Sequence, residues 1–144
     1  MKFESINELT HKIIGCAMEV HNFLGNGFQE VIYQRALAIE FELQGISFKR
    51  ELEMDLTYKK IHIGRRRVDF FVEDCVMLEL KAVMQLEGAH KAQAINYCEA
   101  YNIADGLLIN FGGQSLDFNR VYTKVKKQLG GLCVVISWNS INHI

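Results

Sequence analysis

The chain has 144 residues and a hydrophobic content of 49%, which fits one domain with a core of its own. A net charge of −1 excludes a strongly basic nucleic-acid-binding protein, and no apolar run reaches the ~18 residues of a membrane span. The first residues lack the apolar region of a signal peptide, so we expect a cytoplasmic protein without membrane contact. The cysteines are Cys16, Cys75, Cys98 and Cys133; they lack the close pairs of a zinc site, and we expect reduced core thiols.

Two amphipathic helices are predicted at the start of the chain. The first has Ser5 as its N-cap, with Glu8 completing a capping box, and ends at Gly25-Asn26-Gly27. The second runs from about residue 28 to 43 and stops at Gly45. One side of this second helix carries Ile32, Ala36, Ile39 and Leu43, and another carries Glu30, Tyr33 and Leu37.

A three-stranded meander is predicted next, because the apolar pattern changes to that of strands over residues 48–56, 61–72 and 76–83. Residues 87–101 return to a helical pattern, and residues 107–111 form a short apolar run typical of a buried strand. The strand, helix, strand order predicts a crossover that places this strand parallel to residues 76–82, with the helix on one face of the sheet. Weaker strand patterns follow at 120–127 and 132–138, and we expect residues 1–144 to form a single domain.

Three charged residues stand inside apolar, β-prone segments of the meander. Glu79 and Lys81 share a strand face with Met77, and Asp69 shares its face with Phe71. A three-residue turn over residues 73–75 would pair Val72 with Val76 and set Asp69 opposite Glu79. A two-residue turn would put the two carboxylates on opposite faces.

Two facing carboxylates in a half-buried sheet repel each other unless a cation lies between them. Mg²⁺ or Mn²⁺ suits such a site, because these ions prefer oxygen ligands and Mg²⁺ usually takes one or two protein carboxylates. Lys81, two residues beyond Glu79, is placed to hold an attacking water or to offset charge on a phosphate.

Basic residues cluster locally despite the near-neutral net charge. Lys59-Lys60 and Arg65-Arg66-Arg67 bracket a short strand that leads into Asp69, and a second group near the C-terminus comprises Arg120, Lys124, Lys126 and Lys127. A local basic surface suffices for phosphate contact, although solvated charge at strand ends gives the same pattern.

The order of elements, with Asp69 followed by Glu79-Leu80-Lys81, resembles the PD-(D/E)xK nuclease superfamily. A second motif, residues 27–33, matches Gly-x-x-Glu-x-x-Tyr, the signature of the GxxExxY family within it. The likeness covers roughly residues 9–122. Asn26 and Val68 stand where proline is usual, and neither departure removes a metal ligand.

The resemblance implies an α/β (α+β) fold with a restriction-endonuclease-like core, in which helices flank a mixed β-sheet. It also implies a divalent-metal site made by Asp69, Glu79 and the backbone carbonyl of Leu80, with Glu30 as a further ligand or the holder of a metal-bound water. Lys81 would orient the attacking water. Residues that would support the site or touch substrate are Tyr33, Gln93, Tyr97, His21 and His90, although each also fits a structural role in a helix packed on a sheet.

We therefore expect a Mg²⁺- or Mn²⁺-dependent phosphodiesterase that cleaves DNA or RNA. A domain of this size would need a homodimer or a partner protein for sequence specificity. One alternative is a catalytically silent module on the same fold that binds nucleic acid or protein, and another is a metal-dependent enzyme acting on a small phosphorylated or acid substrate. Salt-dependent nucleic-acid binding separates the first two from the third, and Mg²⁺-dependent cleavage separates the nuclease from the silent module.

Overall fold

A computed structural model of the chain describes residues 3–123 and contains three helices and five strands in that range. In chain order they are α1 (Ile6–Leu24), α2 (Glu30–Leu43), β1 (Phe48–Tyr58), β2 (Ile61–Val72), β3 (Val76–Lys81), α3 (Gly88–Ala100), β4 (Asp105–Asn110) and β5 (Asp117–Tyr122). The predicted strand over residues 120–127 overlaps β5, and residues 124–127 and 132–138 lie outside the described part of the chain. That residues 1–144 form one domain stays a prediction.

The five strands form one mixed sheet in the order β1-β2-β3-β4-β5. β3 and β4 are parallel, whereas the other neighbours are antiparallel. The parallel pair is joined through α3, as the strand, helix, strand order predicted. A mixed sheet flanked by helices confirms the predicted fold class. None of the helices in residues 3–123 is long and apolar enough to cross a membrane.

Helices α1 and α2 pack on one face of the sheet and form what we call the helix-pair core. Ser5 caps α1 by accepting from the backbone N–H of Glu8, and Gly25 ends it at a φ of 74°. The buried apolar residues of the helix-pair core include Leu9, Ile13, Tyr33, Leu37, Phe41, Phe70, Leu78, Leu80 and Phe111.

The buried side of α2 is the one that carries Tyr33 and Leu37. Ile39 and Leu43 are 59% and 72% exposed, and the buried side instead carries Tyr33, Leu37 and Phe41. The aromatic residues decide which side packs, because the Phe41 ring lies with its centroid 5.2 Å from that of Phe70. Large rings bury more apolar area than the alternative stripe offers to the sheet.

Helix α3 covers the opposite face and forms a second cluster, the α3 core. It contains Met54, Val68, Phe71, Met77, Ala94, Cys98, Tyr101, Ile103 and Val121. The Tyr101 hydroxyl donates to the backbone carbonyl of Met54 at 3.0 Å, which ties the end of α3 to β1. Cys16 and Cys98 are buried free thiols, whereas Cys75 is disulfide-bonded, so the expectation of a reduced thiol is wrong for Cys75.

The β1–β2 pair changes its buried face part-way along. Arg50 pairs with Phe70 and Leu52 pairs with Val68, while the pair between them, Glu51 and Asp69, is missing from the register. Phe70 packs in the helix-pair core, yet Val68 packs in the α3 core. Residues two apart in a regular strand share a face, so both strands are irregular here, and Glu51 has a φ of 52°. Asp69 lies at this irregular point.

The segment after β3 is held against the end of β4. The buried Asn110 side chain accepts from the backbone N–H groups of Val83 and Gly112, both at 3.0 Å, and donates to the Val83 carbonyl at 2.8 Å. A Cβ on Gly112 would overlap the backbone N and O of Val83 and lie 2.6 Å from the carbonyl carbon of Ala82.

We expect Gly112→Ala to destabilise the protein by more than about 2 kcal/mol, because backbone atoms must move to admit the methyl group. Gly15→Ala is the matched control, since a Cβ added there would meet nothing within 4 Å and alanine favours a helix. Urea denaturation of both variants measures the difference. Equal midpoints for Gly112→Ala and wild type would contradict the close approach.

Candidate active site

The β2–β3 turn has the three-residue length predicted from the sequence. Val72 pairs with Val76, Phe71 with Met77 and Phe70 with Leu78. Continuing this register sets Asp69 opposite Glu79, and the paired ladder stops just before them. β3 runs on beside β4 as far as the pairing of Lys81 with Asn110. The strands therefore part at the two predicted acidic residues.

The Asp69 carboxylate takes the place of the missing ladder bond. Its Oδ2 accepts from the backbone N–H of Leu80 at 2.8 Å, and its Oδ1 accepts from the Gln34 side-chain amide at 2.8 Å. Burial raises the pKa of Asp69, the two hydrogen bonds and the Lys81 charge lower it, and the Glu51 charge raises it. Burial has the largest effect, so the pKa of Asp69 is raised overall.

Glu79 is the more deeply buried of the two acids, with only 7% of its surface exposed. Its Oε1 is buried and has no hydrogen-bond partner. Burial and then the Asp69 charge raise the pKa of Glu79 to about 8, against the smaller opposing effects of Lys81 and the Asp69 backbone N–H. Burial and the neighbouring Asp69 charge therefore favour the neutral form of this carboxyl group when no further cation is bound.

Lys81 and Glu30 complete the group of charges. The Lys81 ammonium donates to Oε1 of Gln93 on α3 at 3.3 Å. Its positive charge lowers the pKa of Asp69 and of Glu79. Glu30, at the start of α2, is exposed, yet partial desolvation raises its pKa; Lys81 and His90 oppose that shift and Asp69 adds to it. These couplings place Glu30 at the rim of the same site.

The structure engages three of the remaining predicted residues in other contacts. The Tyr33 hydroxyl donates to the Gly25 carbonyl at 2.6 Å and accepts from the Phe28 backbone N–H, and its ring stacks on Phe111. His21 is buried, with Nε2 3.0 Å from the carbonyl oxygen of Gly113. His90 accepts from the backbone N–H of Glu87 through Nδ1 and so caps α3.

Tyr97, one turn after Gln93 on α3, packs partly buried against the α3 core. Among the predicted supporting residues, only Gln93 contacts a charged group of the site, which is Lys81. His90 makes no such contact, but its electrostatic effect lowers the pKa of Glu30.

One polar residue of the site was missed by the sequence reasoning. Gln34 is 5% exposed, donates to Asp69, and leaves its own Oε1 buried without a hydrogen-bond partner. A signal was present, because Gln34 lies four residues after Glu30 and therefore on the same side of a helix.

A divalent cation fits the donors at this site. Nowhere in residues 3–123 are three or more His, Cys, Asp or Glu side chains grouped as a metal site, so Glu30 as a third ligand stays a prediction. Mg²⁺ needs only one or two carboxylates and takes water or substrate oxygens at its other positions. Asp69 and Glu79 supply two, and the unpartnered Oε1 of Glu79 is a buried acceptor of the kind that a cation satisfies.

Comparison with known proteins agrees with this geometry. Residues 7–121 match the family model described as PD-(D/E)XK nuclease superfamily. The chain belongs to the PD-(D/E)xK nuclease superfamily. Superfamily members generally use divalent metals, as the donor set here allows. The comparison with curated proteins finds no match.

The PD-(D/E)xK chain is also similar to a solved structure, the crystal structure of SSO0001, with a TM-score of 0.54 and 14% sequence identity. The similarity covers 81% of this chain and 59% of that one, so the chain spans less than two thirds of that protein's length. At this identity the likeness supports the fold.

We expect the metal-free protein to lose stability as pH rises from about 5 to about 8. Glu79 has a folded pKa of about 8 and a reference pKa of 4.5, so in this window the folded state holds a proton that the unfolded state has released. One such group gives at most about 1.4 kcal/mol per pH unit.

Chemical denaturation in EDTA across this pH range should show a flatter profile for Glu79→Gln than for wild type. Glu42→Gln, which changes an exposed glutamate of α2, is the control and should follow wild type. Parallel profiles for wild type and Glu79→Gln would show that the carboxyl group is not held neutral in the folded protein.

Proposed function

We propose that the protein is a divalent-metal-dependent nuclease that hydrolyses phosphodiester bonds in DNA or RNA. The observation that carries this is the pair of acids at the parting of β2 and β3, with Glu79 buried, one of its oxygens unpartnered, and Lys81 beside it. Burying two interacting carboxylates is unfavourable for stability alone, so the arrangement is better explained by a ligand that neutralises them.

Asp69 and Glu79 would hold the Mg²⁺ or Mn²⁺, together with the backbone carbonyl of Leu80, and Glu30 would reach it directly or through water. When bound, such an ion lowers the pKa of a coordinated water and offsets charge on a phosphoryl group. Gln34 fixes the orientation of Asp69, because its amide donates to the oxygen that the Leu80 N–H does not take. Outer-shell partners of this kind orient ligands and tune affinity.

Lys81 would act on the reacting atoms. Its ammonium shares the site with the acids and is steered by the Gln93 carbonyl oxygen, which leaves its other two protons for a water or a phosphate oxygen. In the reaction, the oxygen of a water bonds to phosphorus as the water loses a proton, and one ester P–O bond breaks as its oxygen gains a proton. Lys81 would orient that water and stabilise the negative charge that grows on the phosphate.

The motif Gly27-x-x-Glu30-x-x-Tyr33 supports placing the chain in the GxxExxY family of the superfamily. Its two polar members differ in position: Glu30 is at the rim of the site, whereas the Tyr33 hydroxyl donates to the Gly25 carbonyl in the loop that follows α1. A domain of this size has room for the core fold and little else. Sequence selectivity would come from a homodimer or a partner protein.

A nuclease assay tests the function directly. Single-stranded, duplex and branched DNA, and RNA, are incubated with wild type in Mg²⁺ or Mn²⁺, beside Asp69→Asn as the control for a contaminating nuclease. Cleavage by wild type alone supports the proposal. Binding without cleavage under either metal would identify a catalytically silent module, and neither binding nor cleavage would point to a small phosphorylated substrate.

Lys81→Ala should reduce cleavage by about 10²–10⁴-fold while leaving metal binding nearly intact, because the ammonium acts on water and phosphate rather than on the cation. Single-turnover cleavage and Mn²⁺ calorimetry measure the two effects. Lys91→Ala, an exposed lysine of α3, is the matched control. If Lys81→Ala cleaves at the wild-type rate, the lysine is structural.

Gln34→Met should weaken Mn²⁺ binding by about 10- to 100-fold, since it removes the amide donor to Asp69 at nearly constant volume. Calorimetry measures the affinity, and Gln44→Met, at an exposed position after α2, controls for the exchange of glutamine for methionine. Unchanged Mn²⁺ affinity in a folded Gln34→Met protein would mean that the hydrogen bond from Gln34 is not needed to orient Asp69 for metal binding.

A further inference from the structure

The ends of β1 and β2 farthest from the β2–β3 turn form a ribbon, which we call the arm and define as residues 52–68. Its pairs run from Leu52–Val68 to Tyr58–Ile61. The part of the arm near Asp69 rests on the α3 core through Leu52, Met54, Leu56 and Val68. At the tip Tyr58, Ile61 and Ile63 are 52%, 69% and 65% exposed.

The arm is basic although the chain is slightly acidic. It contains five lysine and arginine residues and two acidic residues, which gives a net charge of +3. The whole chain has a net charge of −1, so everything outside the arm sums to −4. Positive charge is therefore concentrated on the ribbon that begins beside the candidate site.

Ion pairs neutralise only part of that charge. Glu53 and Asp55 pair with Arg65 and Arg67, at distances of 2.9 to 3.4 Å, and His62 contacts Asp55. Within the described residues, Lys59, Lys60 and Arg66 have no acidic partner, so these are the three cations left for an outside ligand.

Arg66 pairs across the ribbon with Met54, so it points to the α3 side, away from the ion pairs. Its guanidinium donates to the Arg65 carbonyl. The free cations thus lie along one side and at the tip of the arm.

The turn at the tip is built against local preference. Lys59 and Lys60 are its two central residues, and both have positive φ, 49° and 68°. Such two-residue turns strongly favour Asn-Gly, because other side chains are strained in this conformation. Two lysines here put charge at the tip at a cost in turn stability.

We propose that the arm is a nucleic-acid-binding element, in which Lys59, Lys60 and Arg66 contact the phosphate backbone of the strand that passes the candidate site. This rests on the proposed function, since it takes the bound polymer to be the nuclease's substrate. The charge of the arm complements phosphate, whereas the body of the protein, at −4, repels it.

The dimensions set the expected footprint. Six residue steps separate Leu52 from Tyr58, which at about 3.3 Å each gives a reach of about 20 Å. Each strand of B-DNA carries one phosphate per about 3.4 Å of helix axis, so an arm that lies along that axis spans about six of them. A substrate too short to extend that far beyond the cleavage point should gain nothing from the arm.

The experiment measures binding of a labelled 20-base-pair DNA duplex, and of one of its strands, in EDTA between 50 and 200 mM salt. The arm variants are Lys59→Asn with Lys60→Asn, where asparagine tolerates positive φ, and Arg66→Gln. Lys12→Gln with Arg35→Gln removes two exposed cations from α1 and α2 and is the matched control.

We expect the double arm variant to reduce the slope of log affinity against log salt by about 1.8 on the duplex, and Arg66→Gln to reduce it by about 0.9. The control double variant should keep the wild-type slope. Circular dichroism melts confirm that the variants fold.

Slopes equal to wild type in the arm variants, or an equal loss in the control, would overturn the proposal, as would a wild type that binds neither probe. The nuclease proposal fails separately. If the protein cleaves in a metal-dependent way and the arm variants bind like wild type, the proposal for the arm is wrong and the nuclease proposal stands. If binding depends on the arm but no cleavage occurs under Mg²⁺ or Mn²⁺, the proposal for the arm stands and the nuclease proposal is wrong.

Discussion

The site depends on one local event, the parting of β2 and β3 after the pairing of Phe70 with Leu78. Backbone N–H groups freed there must be satisfied, and the acids of the opposite strand do this: Asp69 accepts from the Leu80 N–H, and the Asp69 N–H lowers the pKa of Glu79 through a hydrogen bond. Each carboxylate is therefore fixed by the other's strand. The same bonds keep both acids close enough to repel each other when both are ionised, and a cation would relieve that repulsion.

Each neighbouring element supports that opening from a different side. Helix α2 reaches Asp69 through Gln34, α3 reaches Lys81 through Gln93, and Asn110 holds the segment after β3 through Val83. These contacts are hydrogen bonds from side chains whose backbones are anchored in the two cores. Elements packed in the two cores thus position the side chains of the site, and such support is what holds ligands near a productive geometry.

The sequence predicted the features that follow from the two-residue repeat of a strand, the number of residues in a turn and the order of the elements. Strand parity and a three-residue turn led to the pairing of Val72 with Val76, and the strand, helix, strand order led to the parallel pair of β3 and β4. It did not reveal which stripe of α2 is buried, because Ile39 and Phe41 both fit a helical period and only the facing ring of Phe70 decides between them. The face change beside Asp69 was also hidden, since positive φ at a glutamate such as Glu51 leaves no sequence signal.

Electrostatics connects the site with the rest of the molecule. A proton and a cation compete for Glu79, because burial and the Asp69 charge favour the neutral form of its carboxyl group unless positive charge arrives. An acidic body with a net charge of −4 would hold phosphate away from Asp69 and Glu79 until that charge is offset. The basic arm, which includes part of the strand that carries Asp69, would attract phosphate, whereas the rest of the protein would repel it. Under the proposed function, the polymer would approach along the arm, and its phosphate would enter the site only when the metal is present.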